Sequence, residues 1–266
     1  MQEDYLAIKA LMMARSYLYE LFHKALGGKP TQRLMAAISS NECADSVDEY
    51  LRPGNGLEEF AAFAASVNAS DPDFLECVID EYDQLFVGLG APKLALWESS
   101  YISDDGTLFG ESVLAVRTWY RSDGVRARRQ GNVPEDHLSL MMAFLAQSAR
   151  IAYNALDAKR FPDVASRLEQ DGRFLASHIN NWTGELLERL GEEEGLFYSR
   201  VVHGAVAFAR ADGVFAEQAR QWAKQVSDAP LWGADDDGFT RMEIAISQLR
   251  ELRLPFLEEN ELSCVD

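Results

Sequence analysis

The run Tyr5-Leu6-Ala7-Ile8-Lys9-Ala10-Leu11-Met12-Met13-Ala14-Arg15-Ser16-Tyr17-Leu18-Tyr19-Glu20-Leu21-Phe22-His23 decides the fold class. Leu6, Ala10, Met13, Tyr17 and Leu21 recur every three or four residues and so share one helical face. The same period returns at Leu138, Met141, Met142, Leu145 and Ala149. Between them, Asp71 is an N-cap, Pro72 a first helical residue and Gly88 a stop, which predicts a helix over 71–88. Pro30 marks the start of another helix. Glu111–Ser122, 161–191, 195–211, 214–227 and 239–253 read as further helical segments. No run alternates with period two, and no Asn-Gly turn separates apolar runs. The expectation is an all-α, single globular, bundle-like fold of about ten helices.

Two stretches break the period. Residues 89–110 hold Gly90, Pro92, Gly106 and Gly110 together with Trp97 and Tyr101. The aromatics predict an ordered loop. Residues 123–135 carry Gly124, Gly131 and three arginines, Arg126, Arg128 and Arg129, and read as a hinge. The organisation expected is an N-terminal helical subdomain (1–122) with the aromatic loop, the hinge, a C-terminal helical subdomain (136–227), and an acidic extension (228–266). That extension holds ten acids and three arginines, a net of −7, and ends in a frayed tail.

Of the 266 residues, 47% are hydrophobic and 26% charged, an ordinary globular composition. No stretch reaches the roughly 18 apolar residues of a membrane span, and the acidic start is unlike a secretory signal. Cytoplasmic localisation and no stable membrane insertion are expected. The net charge of −18 argues against nucleic acid and favours a basic peptide partner. Cys43, Cys77 and Cys264 are far apart, so neither a disulfide framework nor a zinc knuckle is expected.

Catalytic signatures are missing: no nucleophile elbow, no phosphate loop, no dinucleotide fingerprint, no zincin motif. Glu20-x-x-His23 is a di-iron carboxylate element, but no second copy exists in the chain. His23 reads instead as a cation near a helix C-terminus. The reading is a non-enzyme without catalytic or metal-binding residues and without a cofactor.

Glu81-Tyr82-Asp83-Gln84-Leu85-Phe86-Val87-Gly88 resembles the aromatic-x-x-Leu-Phe motif of the TorD/DmsD/NarJ-type chaperones, and Pro134-Glu135-Asp136-His137-Leu138 resembles their Glu-Pro-x-Asp-His hinge motif. Trp97-Glu98-Ser99-Ser100-Tyr101, Leu108-Phe109-Gly110 and Thr118-Trp119-Tyr120 are similar to the family's intervening loop and helix, and the resemblance implies that the aromatic loop over 89–110 packs beside the hinge motif, against the start of the helix over 136–150. Phe174-Leu175-Ala176-Ser177-His178, Trp182 and Phe197-Tyr198 are similar to later helices, so the resemblance covers roughly residues 5 to 212. Val133 replaces the family's glutamate and Met141 a common acid, which puts polar roles there in doubt.

The resemblance implies a cytoplasmic, all-helical chaperone for a molybdopterin-dependent oxidoreductase. It would bind the twin-arginine signal peptide, the mature part of the catalytic subunit, or both, as a monomer or a domain-swapped dimer. Glu98, Glu135 and Asp136 would meet the arginines, which favour bidentate carboxylates. Tyr82, Leu85, Trp97 and Tyr101 would line an apolar groove, with Pro134 and His137 completing the hinge motif. Structural roles compete with this. Pro134 starting a helix, Glu135 and Asp136 at its positive end, His137 in its first turn, and Tyr82, Leu85 and Phe86 in the core would also fit. The alternatives in function are a same-fold chaperone for a non-exported nitrate-reductase-type subunit and a metal-binding helical enzyme.

Overall fold

A computed structural model describes residues 2–87, 92–102, 110–127, 133–191, 197–227, 237–252 and 262–264. The first helix, α1 (Gln2–Leu26), runs through the middle of the molecule. Its apolar stripe predicts one buried face, yet every residue from Met12 to Leu26 is buried. Leu6 and Ala10 of that stripe are only half-buried. The cause is enclosure: α8 (Leu138–Asp157) packs along α1, while α2 (Gln32–Ile38), α3 (Asn41–Tyr50), α11 (Phe197–Val226) and α12 (Asp237–Arg250) cover its other sides. The polar residues Arg15, Ser16, Glu20, His23 and Lys24 are enclosed with it.

A second layer forms where α9 (Phe161–His178) lies against α11 and α8. Residues on both sides of 123–135 contribute to one core, from Tyr5 through Phe144, Phe174 and Phe208 to Leu252. On the far side of α11 sits α4 (Leu57–Ser66). The contact is close because Gly204 has no side chain: a Cβ there would stand 2.4 Å from the Phe60 ring. The remaining helices are α5 (Pro72–Tyr82), the single turn α6 (Ser99–Ile102), α7 (Glu111–Ser122) and α10 (Thr183–Leu190), twelve α-helices among the described residues. The all-α expectation holds.

Local signals place several boundaries. Asp71 caps α5, its carboxylate accepting the N–H groups of Asp73 at 3.0 Å and Phe74 at 3.2 Å, with Pro72 in the first turn. The chain then continues as a π-helical turn over Asp83–Val87, and Gly88 lies outside the described residues. Pro30 does not begin α2; Thr31 caps it, its hydroxyl accepting the Leu34 N–H at 3.2 Å. The segments expected at 195–211 and 214–227 form one helix of 30 residues. Asp212 and Gly213 read as a break, but the Asp212 carboxylate is occupied by Arg15, Tyr19 and Tyr50 and does not compete for the backbone.

Two strands were not expected. β1 (Val125–Ala127) pairs antiparallel with β2 (Leu262–Cys264), with Val125 opposite Cys264 and Ala127 opposite Leu262. Three residues are too few to show a period of two. The hinge region thus contains a strand, and the described end of the expected frayed tail is paired with it. Upstream, α12 buries Ala245, Ile246 and Leu249 against the body, and Leu252 just beyond it is buried too.

Candidate functional site

Leu96, Trp97 and Glu98 run antiparallel to Asp136, His137 and Leu138. The Leu138 N–H donates to the Leu96 carbonyl at 2.7 Å, and the Glu98 N–H to the Asp136 carbonyl at 3.1 Å, with Trp97 and His137 bridged between. The described part of the aromatic segment therefore packs on the entry to α8, as the family resemblance implies; residues 103–109, with Leu108 and Phe109, lie outside the described residues. A turn precedes the helix, the His137 N–H donating to the Pro134 carbonyl at 3.1 Å.

His137 caps α8: its Nδ1 accepts the Ser139 N–H at 3.1 Å. Nδ1 must then be unprotonated, so the ring is the neutral Nε2–H tautomer. Burial, with His23 adding a like charge, lowers its pKa to about 3. Pro134 thus does not start the helix, and His137 is its cap rather than a first-turn residue.

Glu98, Glu135 and Asp136, expected to meet arginines of a ligand, are all buried, and each meets a group of the protein itself. Arg117 of α7 holds Glu135 bidentately, Nε at 2.9 Å and Nη2 at 3.0 Å, and the Tyr120 hydroxyl donates to the Glu135 carbonyl at 2.9 Å. Glu98 lies 3.1 Å from His178 Nδ1 and accepts from Asn181 Nδ2 at 3.2 Å. Asp136 Oδ2 accepts the Ser99 N–H at 2.7 Å, while Oδ1 is buried without a hydrogen-bond partner among the described residues. Burial raises the Asp136 pKa to about 6, against the opposing pull of Ser99. These acids link the aromatic segment, α7, α9 and α8 into one frame.

The aromatics divide. Trp97 is half-buried beside the His137 ring, with centroids 6.1 Å apart. Tyr101 stacks on Trp182 at 5.0 Å, carries Arg189 over its ring at 4.3 Å, and donates to the Ala95 carbonyl at 2.7 Å. Burial raises its phenol pKa to about 12. Next to Tyr101, Ile102 is exposed, and α7, against which α6 packs, exposes Leu114. Tyr82 and Leu85 are not brought to this edge. Tyr82 packs on Tyr198 at 5.4 Å and on Phe86 at 5.2 Å, inside the core. Leu85 is buried, and its carbonyl accepts the Leu94 N–H at 3.0 Å.

Sequence reasoning missed Arg117, His178, Asn181 and Glu81. Glu81, beside the aromatic motif, caps α11 by accepting the N–H groups of Phe197 at 2.9 Å and Tyr198 at 2.6 Å. It also missed a buried ion cluster: Arg15 donates to Asp212 at 2.8 and 2.9 Å and to Asp171 at 2.8 Å, while Tyr19 and Tyr50 donate to Asp212. The one available signal was an arginine inside the apolar run Met12–Phe22. His23 does fall in the last turn of α1, but buried, its Nδ1 2.9 Å from the Ser139 carbonyl; Glu20 is 3.6 Å from Arg250. Among the described residues no group of three or more His, Cys, Asp or Glu is arranged to hold a metal, and no helix is long and apolar enough to cross a membrane.

Comparison with known proteins agrees with the motifs. The family model described as nitrate reductase delta subunit matches residues 48–188, which include the aromatic segment and the hinge motif. The chaperone protein TorD of Vibrio vulnificus (strain YJ016) is 30% identical over 216 residues, covering 77% of this chain and 95% of the relative. The Tat proofreading chaperone DmsD of Salmonella typhi is 37% identical over 78 residues, 28% of this chain and 38% of the relative. TorD of Vibrio cholerae (El Tor Inaba N16961) is 29% identical over 119 residues, 44% of this chain and 53% of the relative. A match over more than half the chain, joined to near full-length similarity to a TorD protein, shows that the chain belongs to the nitrate reductase delta subunit family, the NarJ/TorD/DmsD family.

Proposed function

We propose that the chain is a cytoplasmic maturation chaperone for a molybdopterin-dependent oxidoreductase, binding the twin-arginine signal peptide of its catalytic subunit, the apo-form of that subunit, or both. The observation that carries this reading is the similarity to TorD across 95% of that protein's length. The relatives are named chaperones, and on that reading this chain catalyses no reaction of its own.

The site proposed is the edge formed by Trp97 and Tyr101 with the hinge motif Pro134–His137. Trp97 and Tyr101 offer apolar area to the segment after the arginines. Glu98, Glu135 and Asp136 hold that edge in place and add negative potential to a chain of net charge −18. Tyr82 and Leu85 do not line that edge; Leu85 holds the start of the aromatic segment through its carbonyl, which accepts the Leu94 N–H. Each Leu-sized ligand side chain buried contributes about 1.5–3 kcal/mol, while association costs several, so binding near micromolar is expected.

The test is fluorescence anisotropy of a labelled twin-arginine peptide against wild type, Trp97→Ala and Asp136→Ala, with thermal melts as folding controls. Expected are binding at tens of micromolar or tighter, loss on replacing both peptide arginines by alanine, and weakening by both protein variants. Both defects should persist in salt, Trp97→Ala because it removes apolar area and Asp136→Ala because that buried carboxylate acts by holding Ser99. Both variants binding like wild type while folded would remove the site. Capture of a mature subunit without capture of the peptide would favour the nitrate-reductase-type client, the reading closest to the family model's description. Stoichiometric iron or manganese in the purified protein would favour the metal-binding enzyme instead.

A further inference from the structure

We propose that β1 is a strand-pairing site for an extended apolar peptide, occupied in cis by β2, and that the apolar segment following the arginine pair of a client signal peptide takes β2's place. The choice of client rests on the function proposed above; the pairing site rests on geometry.

β1 turns Val125 and Ala127 inward and leaves Arg126 exposed. Its partner comes from the far end of the chain, beyond residue 188 where the family match ends, whereas β1 lies within that match. Ala127 shares a small apolar cluster with Val133 and with Leu140, three residues after His137. A peptide paired to β1 would therefore lie beside the hinge motif. Among the described residues the sheet has three opposed pairs, and a two-stranded sheet of that size is marginal by itself. Leu262, opposite Ala127, is the side chain that adds packing against the core.

The arm is anchored upstream of β2. α12 keeps its apolar face on α1 between clefts of about 400 Å³, beside Tyr17, Arg33 and Gln248, and about 190 Å³, beside Met13, Tyr153 and Ile246. β2 can thus leave without undoing α12.

Charge selects which part of the client pairs. Arg121 and Arg126 are exposed at this edge, which disfavours the arginine pair and favours the uncharged segment after it. The chain's own tail is suited to the same edge: Glu258, Glu259, Glu261 and Asp266 flank or adjoin Leu262–Cys264 in sequence. Strand addition draws its affinity from main-chain hydrogen bonds and needs one apolar side chain in the place of Leu262.

The test uses the full chain. Val125 stands opposite Cys264, and opposed residues of an antiparallel pair have Cα atoms ~4.5–5.5 Å apart, within disulfide reach. Val125→Cys, on a Cys77→Ser background, locks β2 when oxidised and frees it when reduced. The labelled signal peptide should bind the reduced form about tenfold or more tighter than the oxidised form. Equal affinity in the two states would overturn the pairing site while leaving the chaperone reading standing.

If the signal peptide binds neither state, the chaperone reading fails, and a second probe judges the site alone. In Leu262→Pro/Ser263→Pro two adjacent N–H groups are lost, one of which must face β1. A peptide copying residues 260–266, with Ser for Cys264, should then slow amide exchange at residues 125–127. No slowing at saturating peptide would overturn the proposal.

Discussion

The Asp136 carboxylate accepts the backbone N–H of Ser99 at 2.7 Å, from a position with no solvent exposure. One oxygen thereby joins the hinge motif to the aromatic segment across 37 residues of sequence. The other is buried without a hydrogen-bond partner among the described residues, and burial raises the pKa to about 6 against the lowering effect of the Ser99 hydrogen bond.

That shift sets a pH dependence with a definite sign. Between its ordinary value near 3.8 and about 6, Asp136 keeps its proton in the folded chain and loses it in the unfolded chain, so its contribution to stability falls as pH rises. His137 acts oppositely: from about 6.5 down to about 3 the unfolded chain binds a proton that the folded chain refuses, so stability falls as pH falls. Asp136→Asn keeps an acceptor for Ser99 and should remove the first effect, raising stability at pH 7 relative to pH 4 by about 2–3 kcal/mol compared with wild type. Urea melts across pH 4–7.5 check it; an unchanged pH profile would contradict it.

Arg117 is the charged partner that holds the buried Glu135 carboxylate. Arg117→Ala should therefore lower stability by about 3–5 kcal/mol, the consequence of leaving a buried charge unpaired. Arg117→Ala/Glu135→Gln should recover part of it. A double-mutant cycle from chemical melts measures the coupling, and additive losses would show that the pair is not coupled.

The Asp212 carboxylate is shared by Arg15, Tyr19 and Tyr50, all buried. Asp212→Ala should destabilise by several kcal/mol, roughly 3–5, because it strips Arg15 of one of two carboxylates and leaves two phenols without an acceptor. The expected signature is a large drop in the melting midpoint with little change in peptide affinity at temperatures where the variant is still folded.

Gly204→Ala would seem mild in a helix, where alanine is favoured. Here the new methyl meets the Phe60 ring, so α4 and α11 must separate or Phe60 must turn. Destabilisation of about 1–3 kcal/mol is expected. Phe60→Leu in the same chain should relieve it, which thermal melts of the single and double variants would show.

Period and caps made most of the fold legible. The stripe of α1, the Asp71-Pro72 start of α5, the 111–122 helix and the restart at Leu138 are local: each follows from side-chain spacing or from the first turn's N–H groups finding an acceptor. The packing of the aromatic segment on the α8 entry follows from the family resemblance, which sets its aromatics beside the hinge motif. Roles of side chains were less legible. Glu98, Glu135 and Asp136 look like a surface for arginines in sequence, because an acid's partner across 18 or 80 residues leaves no local trace.

The sequence by itself determined the helical class, the family motifs and the acidic balance, since these depend on residues near one another or on simple sums. Only the tertiary structure decided that α1 is enclosed on every side, that Asp212 sits within a continuous α11, that the three acids of the candidate site face inward, and that residues 262–264 return to pair with 125–127. All four depend on which distant groups meet, and burial turns those meetings into large energies: an acid facing water is free to bind a ligand, while the same acid in the interior must be satisfied by its own chain.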